Sequence, residues 1–513
     1  MAIDDLELSI FRSTIQRWPP VEDVMTNSVI GKVLVLISLS SLLSCGGSSG
    51  GSNGSGAGVS VEAAPQILSV DPEANDSAVG ADVTISTTFD KFMNTGTADS
   101  FVVYGSQSGK LAGTFTGGGT ATLGFDSIDR YKTGEEIDVI LTGSLTSAEG
   151  RPLDVPLVYR FRTEALSGPG RFAVTQKISG QSGARALAAG DWDNDGDIDL
   201  AVANATANSV AVLENNGSGN FSAAGLISGQ PGARALAAGD WDGDGDIDLV
   251  VANYSANRLD VLNNGGTGNF TVGFTFSGLW GPYGLAAGDW DGDGDLDLVV
   301  ANLDGDWVVI LTNDGAGSFG VQELIWEQIG PAAFTTGDWD GDGDLDIIAA
   351  NFIGDWVDVL NNAGGGNFAI AQRISARLGT LAVVDGDWDG DGDVDLALAN
   401  SYNSTVDVVE NDGTGRFSVA QTLTDQSGAQ ALAEGDWDGD GDIDLAVANA
   451  YFGANRLDIL ENDGTGGFAV VQRLSDQPGA VSLAAGDWDG DGDIDLAVAN
   501  HGDGSVVVLT YQH

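Results

Sequence analysis

"GDWDGDGDIDLAVAN", residues 486–500, sets Asp487, Asp489, Asp491, Asp493 and Asp495 on alternate positions with no basic residue among them. Carboxylates a few ångströms apart repel by about 1 kcal/mol per pair even at the dielectric of water, and by more where solvent is thinner. A chain tolerates such a run if a cation neutralises it or if the segment stays open and solvated. The apolar run that ends the stretch reads as a strand, so the acidic segment is a tight loop leading into a sheet.

The stretch has six relatives in the same chain. The Asp-Trp-Asp motif starts at Asp191, Asp240, Asp289, Asp338, Asp387, Asp436 and Asp487, in steps of 49 and finally 51. A phenylalanine keeps the same beat at Phe172, Phe221, Phe270, Phe319, Phe368, Phe417 and Phe468. Each period holds four strand-like runs, ARALAAG, IDLAVAN, SVAVLEN and NFSAAGLIS in the first, and a four-stranded unit of this length is a propeller blade. The region opens with RFAVTQKIS, residues 171–179, a fourth-type strand without preceding partners, and ends after a third-type strand, SVVVLTYQH. The orphan strand at the start therefore completes the last blade, which closes the ring and removes a free sheet edge. The expected fold is all-β: a seven-bladed β-propeller over residues 171–513.

The repeat resembles the FG-GAP/VCBS family, the blade type also found in the head of integrin α chains. The matching residues are Gly-Asp-Trp-Asp-x-Asp-Gly-Asp-x-Asp-Leu, then Ala-Asn, then turns such as NDGTGRF at 411–417. Asp-Trp-Asp stands where the family more often has Asp-Val-Asn or Asp-Phe-Asn, which raises the loop charge without removing a ligand position.

Calcium takes six to eight oxygen ligands, and a nine-residue loop can offer them from positions 1, 3, 5, 7 and 9, with glycine at 6 for the sharp turn. In the first copy these are Asp191, Asp193, Asp195, Asp197 through its backbone carbonyl, and Asp199 as the closing carboxylate. The second and third copies present Asp240, Asp242, Asp244, Asp246 and Asp248, then Asp289, Asp291, Asp293, Asp295 and Asp297. The fourth and fifth present Asp338, Asp340, Asp342, Asp344 and Asp346, then Asp387, Asp389, Asp391, Asp393 and Asp395. The sixth presents Asp436, Asp438, Asp440, Asp442 and Asp444, and the seventh is the stretch quoted above. Up to seven calcium ions are expected, mainly as structural clips, because no element that an ion could expose is visible. They would carry the formal charge from -55 to -41. Affinity is expected at ~10⁻⁴–10⁻³ M, as in extracellular modules. The tryptophan at loop position 2 recurs in every copy. Exposed sugar-binding indoles are imaginable, but packing between blades is the better reading.

The rest of the composition narrows the class. The net charge of -55 makes nucleic acid and anionic membrane surfaces poor partners. Glycine-rich turns and regular Val/Ile/Leu alternation argue for a folded β protein against disorder. Residues 64–164 hold seven short strands in about 100 residues, the spacing of an immunoglobulin-like sandwich. The order PQILSVDPE, VTISTTFDKFMN, GEEIDVILTGSLTSAEGRPLD and YRFRT resembles the bacterial Ig-like domain first recognised in surface-layer proteins, which implies a spacer or stalk. Residues 165–170 read as a linker.

The single cysteine, Cys45, closes the apolar run GKVLVLISLSSLLSC, too short to span a bilayer. The stretch resembles a bacterial lipoprotein signal with the lipobox Leu42-Leu43-Ser44-Cys45, although Leu43 is bulkier than the usual residue. A Gly/Ser tether, residues 45–63, follows, as expected after a lipid anchor. Residues 1–44 are thus a leader and signal peptide, and translation is expected to start at Met25. The chain is expected to be exported and anchored at the bacterial cell envelope, surface-exposed, touching membrane only through the lipid.

Six aromatics break the repeat: Trp280, Tyr283, Trp307, Trp326, Phe352 and Trp356. In an up-and-down blade the turns between strands 1–2 and 3–4 lie on one face, and those between 2–3 and 4–1 on the other. The acidic loops are 1–2 turns, whereas all six aromatics fall at 2–3 or 4–1 connections, around the third and fourth blades. They are either a ligand face or ordinary packing residues. A calcium-binding surface module for a protein or glycan, monomeric and without catalysis, is the leading reading. A polysaccharide-active enzyme or a periplasm-facing scaffold lipoprotein are the alternatives. Only His501 and His513 are available as histidines, and the loop carboxylates are committed to metal.

Overall fold

The structure, a computed structural model, describes residues 63–513 apart from 98–99, 154, 166–169, 376–377 and 451–452. The leader, Cys45 and nearly all of the tether lie outside the described residues. The repeats form seven four-stranded antiparallel sheets, each strand pairing with the next in sequence. Blades 1 to 6 run 184–228, 233–277, 282–326, 331–374, 380–424 and 429–475. Blade 7 takes its first three strands from 480–512 and its outermost from Arg171–Ser179, in register from Ser505↔Ser179 to Gln512↔Arg171. The ring is therefore closed by strand pairing between the two ends of the repeat region.

Burial within a blade follows distance from the axis. The second strand, such as Asp199–Asn204, is buried at every position, and so reads as a continuous apolar run rather than an alternating one. The first strand, such as Ala184–Gly190, faces the channel with small residues, and the outermost, such as Ser222–Ser228, is largely exposed. Blades are joined by the loop tryptophans, all seven of which are buried. Each packs edge-on against the phenylalanine of the neighbouring blade: Trp192 on Phe270 at 5.8 Å, Trp290 on Phe368 at 6.0 Å, Trp437 on Phe172 at 5.5 Å, and Trp488 on Phe221 at 5.8 Å across the closure. The two most regular features of the sequence are thus one device, repeated at each junction.

The sandwich has eight strands in two sheets. One holds Ile67–Asp71, Ile85–Phe89, Thr122–Ser127 and Gly113–Thr116; the other holds Gly109–Lys110, Phe101–Gly105, Glu136–Leu141 and Leu157–Arg162. The run GKLAGTFTG, which reads as one strand, divides between them. Phe101, Val103, Phe125, Val139 and Phe161 lie in the buried core between the sheets.

This domain does not stand apart as a stalk. Strand Phe101–Gly105 is buried at every position, because its alternate side chains serve two cores. Val102 and Tyr104, with Ile140 and Val158, enter one buried cluster with Trp241, Trp290, Leu296 and Leu345 of the propeller. Glycines allow the approach: a Cβ on Gly109 would come within 2.8 Å of Ile247, and one on Gly134 within 2.4 Å of Ile494. The sandwich therefore sits on the face that carries the acidic loops.

Candidate functional site

Each acidic loop is pre-shaped by its own backbone. In blade 2, Asp240 at position 1 accepts hydrogen bonds from the amides of Gly243 and Gly245 at 2.8 and 3.1 Å. Asp248 at position 9 is buried; Oδ2 accepts from the Trp241 amide at 3.1 Å and Oδ1 from the Asn264 amide at 2.7 Å. The second clamp ties the loop to the third strand, and Asn264 Nδ2 continues across the junction to the Trp192 carbonyl of blade 1 at 2.7 Å. The position-9 clamp recurs in every blade, with Tyr511 in place of the asparagine in blade 7. Position 9 is thus a strand clip as well as a candidate ligand.

Oxygens of positions 1, 3 and 9 converge to within 4.8 Å of one another, as in Asp191/Asp193/Asp199, Asp240/Asp242/Asp248, Asp289/Asp291/Asp297, Asp338/Asp340/Asp346 and Asp387/Asp389/Asp395. The position-5 carboxylate also braces the turn, since Asp195 and Asp244 accept from the amides of Asp197 and Asp246 at 3.0 Å, and in blades 3, 6 and 7 it shares a hydrogen bond with the position-3 carboxylate. The position-7 side chain leaves the cluster. The Asp246 carboxylate accepts from Asn194 of blade 1 at 2.6 Å, and the Asp197 carboxylate lies against Gly217. The carboxylates of positions 1, 3 and 9 are brought together, while at position 7 the expected donor is the backbone carbonyl and not the side chain.

Burial and mutual repulsion make these carboxylates costly to ionise without a counter-charge. Desolvation, only partly offset by the Asn313 amide and reinforced by Asp291 and Asp289, pushes Asp297 up to about 9. Desolvation likewise pushes Asp346, Asp444 and Asp495 up to about 8, and Asp289 at position 1 up to about 7. Oδ1 of Asp242, Asp340 and Asp489, all at position 3, is buried with no hydrogen-bond partner among the described residues. Convergent, all-oxygen, under-compensated donors fit a hard divalent cation.

A further residue of each site escapes a reading by loops alone. The third strand ends beside position 3 with Glu214, Asn263, Thr312, Asn361, Glu410, Glu461 or Thr510. Asn263 donates to Asp242 and Asn361 to Asp340, the latter at 2.5 Å. Glu214 shares a hydrogen bond with Asp193, which raises its pKa. An oxygen-bearing side chain at this place in all seven copies was the signal.

On the opposite face the six irregular aromatics separate into two groups. Tyr283 is capped by the Arg234 guanidinium 3.8 Å from its ring centre, and Trp356 by Arg373 at 4.2 Å, with its Nε1 donating to Asp358 at 3.2 Å. Phe352 is half-buried against Tyr402 at 5.1 Å. Trp280 and Trp326 are exposed, by 58% and 60%, and flank the half-buried Trp307. Trp307 and Trp326 are cross-strand neighbours with ring centres 6.0 Å apart, and Trp307 and Trp280 both border Gly305. Among the described residues Trp280 and Trp326 are the exposed tryptophans, and with Trp307 they form an open indole trio in blade 3.

Fold and site together define a seven-bladed propeller with acidic candidate metal loops on one face and a β-sandwich seated on them. The family model of the FG-GAP-like repeat matches residues 191–251, 240–300, 289–349, 387–447 and 436–498, together more than half of the chain, and that of the bacterial Ig-like domain matches 61–163. The chain belongs to the FG-GAP-like repeat proteins. Similar solved structures include virginiamycin B lyase from Staphylococcus aureus (14% identity, TM-score 0.47, covering 66% of this chain and 99% of that one). BBS1N in complex with ARL6DN is another (13%, 0.49, 66% and 96%), and a protein from Lactobacillus plantarum a third (14%, 0.47, 75% and 98%). None of the curated proteins matches the sequence. FG-GAP-like repeats with an Ig-like domain make a binding or adhesion-type module, and the bacterial Ig-like domain points to an extracellular or surface protein. Among the described residues no helix is long and apolar enough to cross a membrane.

Proposed function

We propose that this chain is a calcium-binding, lipid-anchored surface protein that holds a protein or glycan ligand, without catalysis, on the propeller face opposite the acidic loops. The observation that carries the reading is the open indole trio Trp280, Trp307 and Trp326 on the face that the sandwich leaves free. Exposed tryptophan offers a large, rigid contact area at small entropic cost, which is why indoles anchor interfaces and stack on sugar rings. Calcium is the cation proposed for the loops, because their donors are all oxygens and their clusters sit on a turn with glycine at position 6. Its role is structural: it offsets the repulsion among carboxylates that also clip the first three strands of each blade. Lipidation at Cys45 rests on the signal-like stretch before it.

A glycan and protein array probed with the full chain, with and without calcium, tests the binding role. Combined alanine substitution at Trp280, Trp307 and Trp326 should abolish the captured signal, and a signal left intact would refute the face. Protease shaving of intact cells separates a surface-exposed protein from a periplasm-facing one, and Cys45→Ser should release the protein from the membrane fraction.

A further inference from the structure

Three hydrogen bonds from the sandwich to the propeller fall on one repeated atom. In blades 1, 3 and 4 the sandwich donates to the carbonyl of the glycine at loop position 6. Lys132 Nζ reaches Gly196, the Tyr104 hydroxyl reaches Gly294 at 3.4 Å, and the Val158 amide reaches Gly343 at 3.0 Å. These glycines have φ of +98°, +98° and +93°, a conformation that side-chain-bearing residues rarely adopt. The turn sets the carbonyl between positions 5 and 7, at the tip of the loop. The three tips belong to three different blades, so the sandwich is held at three separate points.

A second set of contacts orients the cap over the channel. The first-strand residue just before the glycine that leads into each acidic loop reads Ala189, Ala238, Ala287, Thr336, Asp385, Glu434 and Ala485. Arg162 pairs with Glu434 at 3.3 Å, and Arg160 donates to the Thr336 carbonyl at 3.2 Å. Both arginines are also paired within the sandwich, to Glu136 and Asp138. A cavity of about 490 Å³ remains between the cap and the channel wall, bordered by Gln107, Arg162 and Glu434. Two acidic residues thus replace small ones where two cap arginines arrive.

We propose that the sandwich is a cap whose seating is coupled to cation binding in the loops of blades 1, 3 and 4. The inference rests on the calcium reading of those loops. Backbone hydrogen bonds shape each loop, and a cation that offsets the repulsion among carboxylates converging to within 4.8 Å draws its tip in further. Only the drawn-in form holds three tips in place together, so each bound ion favours docking and docking favours each ion by the same factor. The cap closes one end of the channel and leaves the tryptophan face as the open one.

The test uses the full chain with Cys45→Ser and one reporter cysteine. Val102→Cys lies beneath the cap against the propeller, and Val139→Cys lies in the sandwich's own core. Isothermal titration with calcium is run on the same preparations. Chelation should speed maleimide labelling of the Val102 reporter at least tenfold and leave the Val139 reporter protected. Asp385→Ala with Glu434→Ala should speed labelling of the Val102 reporter even in calcium. Binding heat with unchanged labelling overturns the coupling alone, as does labelling of both reporters, which is unfolding. Faster labelling in calcium also overturns it, since the ion would then be displacing Lys132. Absence of binding heat overturns the calcium reading and the coupling together. If a reporter fails to fold, small-angle scattering of the unsubstituted chain replaces it: chelation should lengthen the particle, and an unchanged profile overturns the proposal.

Discussion

The loop face and the aromatic face of the propeller are built from the same 49-residue unit, yet they treat repetition in opposite ways. On the loop face every copy keeps its aspartates, its buried tryptophan and its position-9 clamp, since each junction around the ring poses the same packing problem. On the aromatic face the copies diverge, and blade 3 alone gathers Trp280, Trp307 and Trp326. Residues that hold a ring together are constrained by their neighbours, whereas connecting loops pointing at solvent are free to acquire contacts. Regularity marks architecture here, and exceptions mark places where something else is met. The exceptions are not confined to the aromatic face: Asp385 and Glu434 interrupt the loop face where the sandwich lands.

Stability measurements put that contrast at risk. The largest effect is expected from Trp290→Ala, which empties a buried junction against Phe368. It should cost about 3–5 kcal/mol by chemical denaturation, and a loss no larger than that of a surface substitution would remove the tryptophans from the architecture.

A second effect concerns pH. Without a cation the position-9 carboxylates are held above their unfolded value of 3.8, Asp297 at about 9 and Asp346 at about 8. Their neutral forms therefore favour the folded state, and that stability is lost as pH rises through the folded pKa. In chelator the melting temperature should fall by several degrees between about pH 5.5 and about pH 8.5. Calcium should remove the fall, since binding requires the ionised form. A fall of equal size with and without calcium would detach the loops from metal.

Asp297→Asn separates the two conditions at a single site. It should cost about 1–3 kcal/mol in chelator, because the new NH2 group cannot accept from one of the two clamped amides, Trp290 or Asn313, and should cost more in calcium, where a ligand is lost as well. An equal cost in both conditions would contradict a ligand role. The smallest effect is expected from Trp280→Ala, whose stability should change by under about 0.5 kcal/mol because the side chain is exposed. A large loss there would make the indole a packing residue instead of a contact surface.

Much of this molecule was legible in one dimension. The ring, its closure by residues 171–179 and the division into faces follow from counting a period, and strand pairing reproduces them. The buried role of Trp192 and its counterparts follows from recurrence. The donor set was legible only in part. Alternation marks one donor at each odd position, but what else each side chain holds is set by the fold: position 5 also braces the turn and the position-7 carboxylate reaches the neighbouring blade, as Asp244 and Asp246 show. Glu214 and its counterparts on the third strand were overlooked, although each copy carries an oxygen there, because their meaning depends on strand register.

What one dimension carries is local and periodic: blade number, the loops, and which aromatics break the pattern. The alternation of a strand and the geometry of a tight turn are set by residues close together in the chain. Only folding decided that the sandwich is seated on the loops. Val102, Tyr104 and Val158 look like core residues of their own domain until Trp290 and Leu296 are seen on their other side. Arg162 and Glu434 lie 272 residues apart, and their ion pair exists only because folding superposes two surfaces that no local pattern relates.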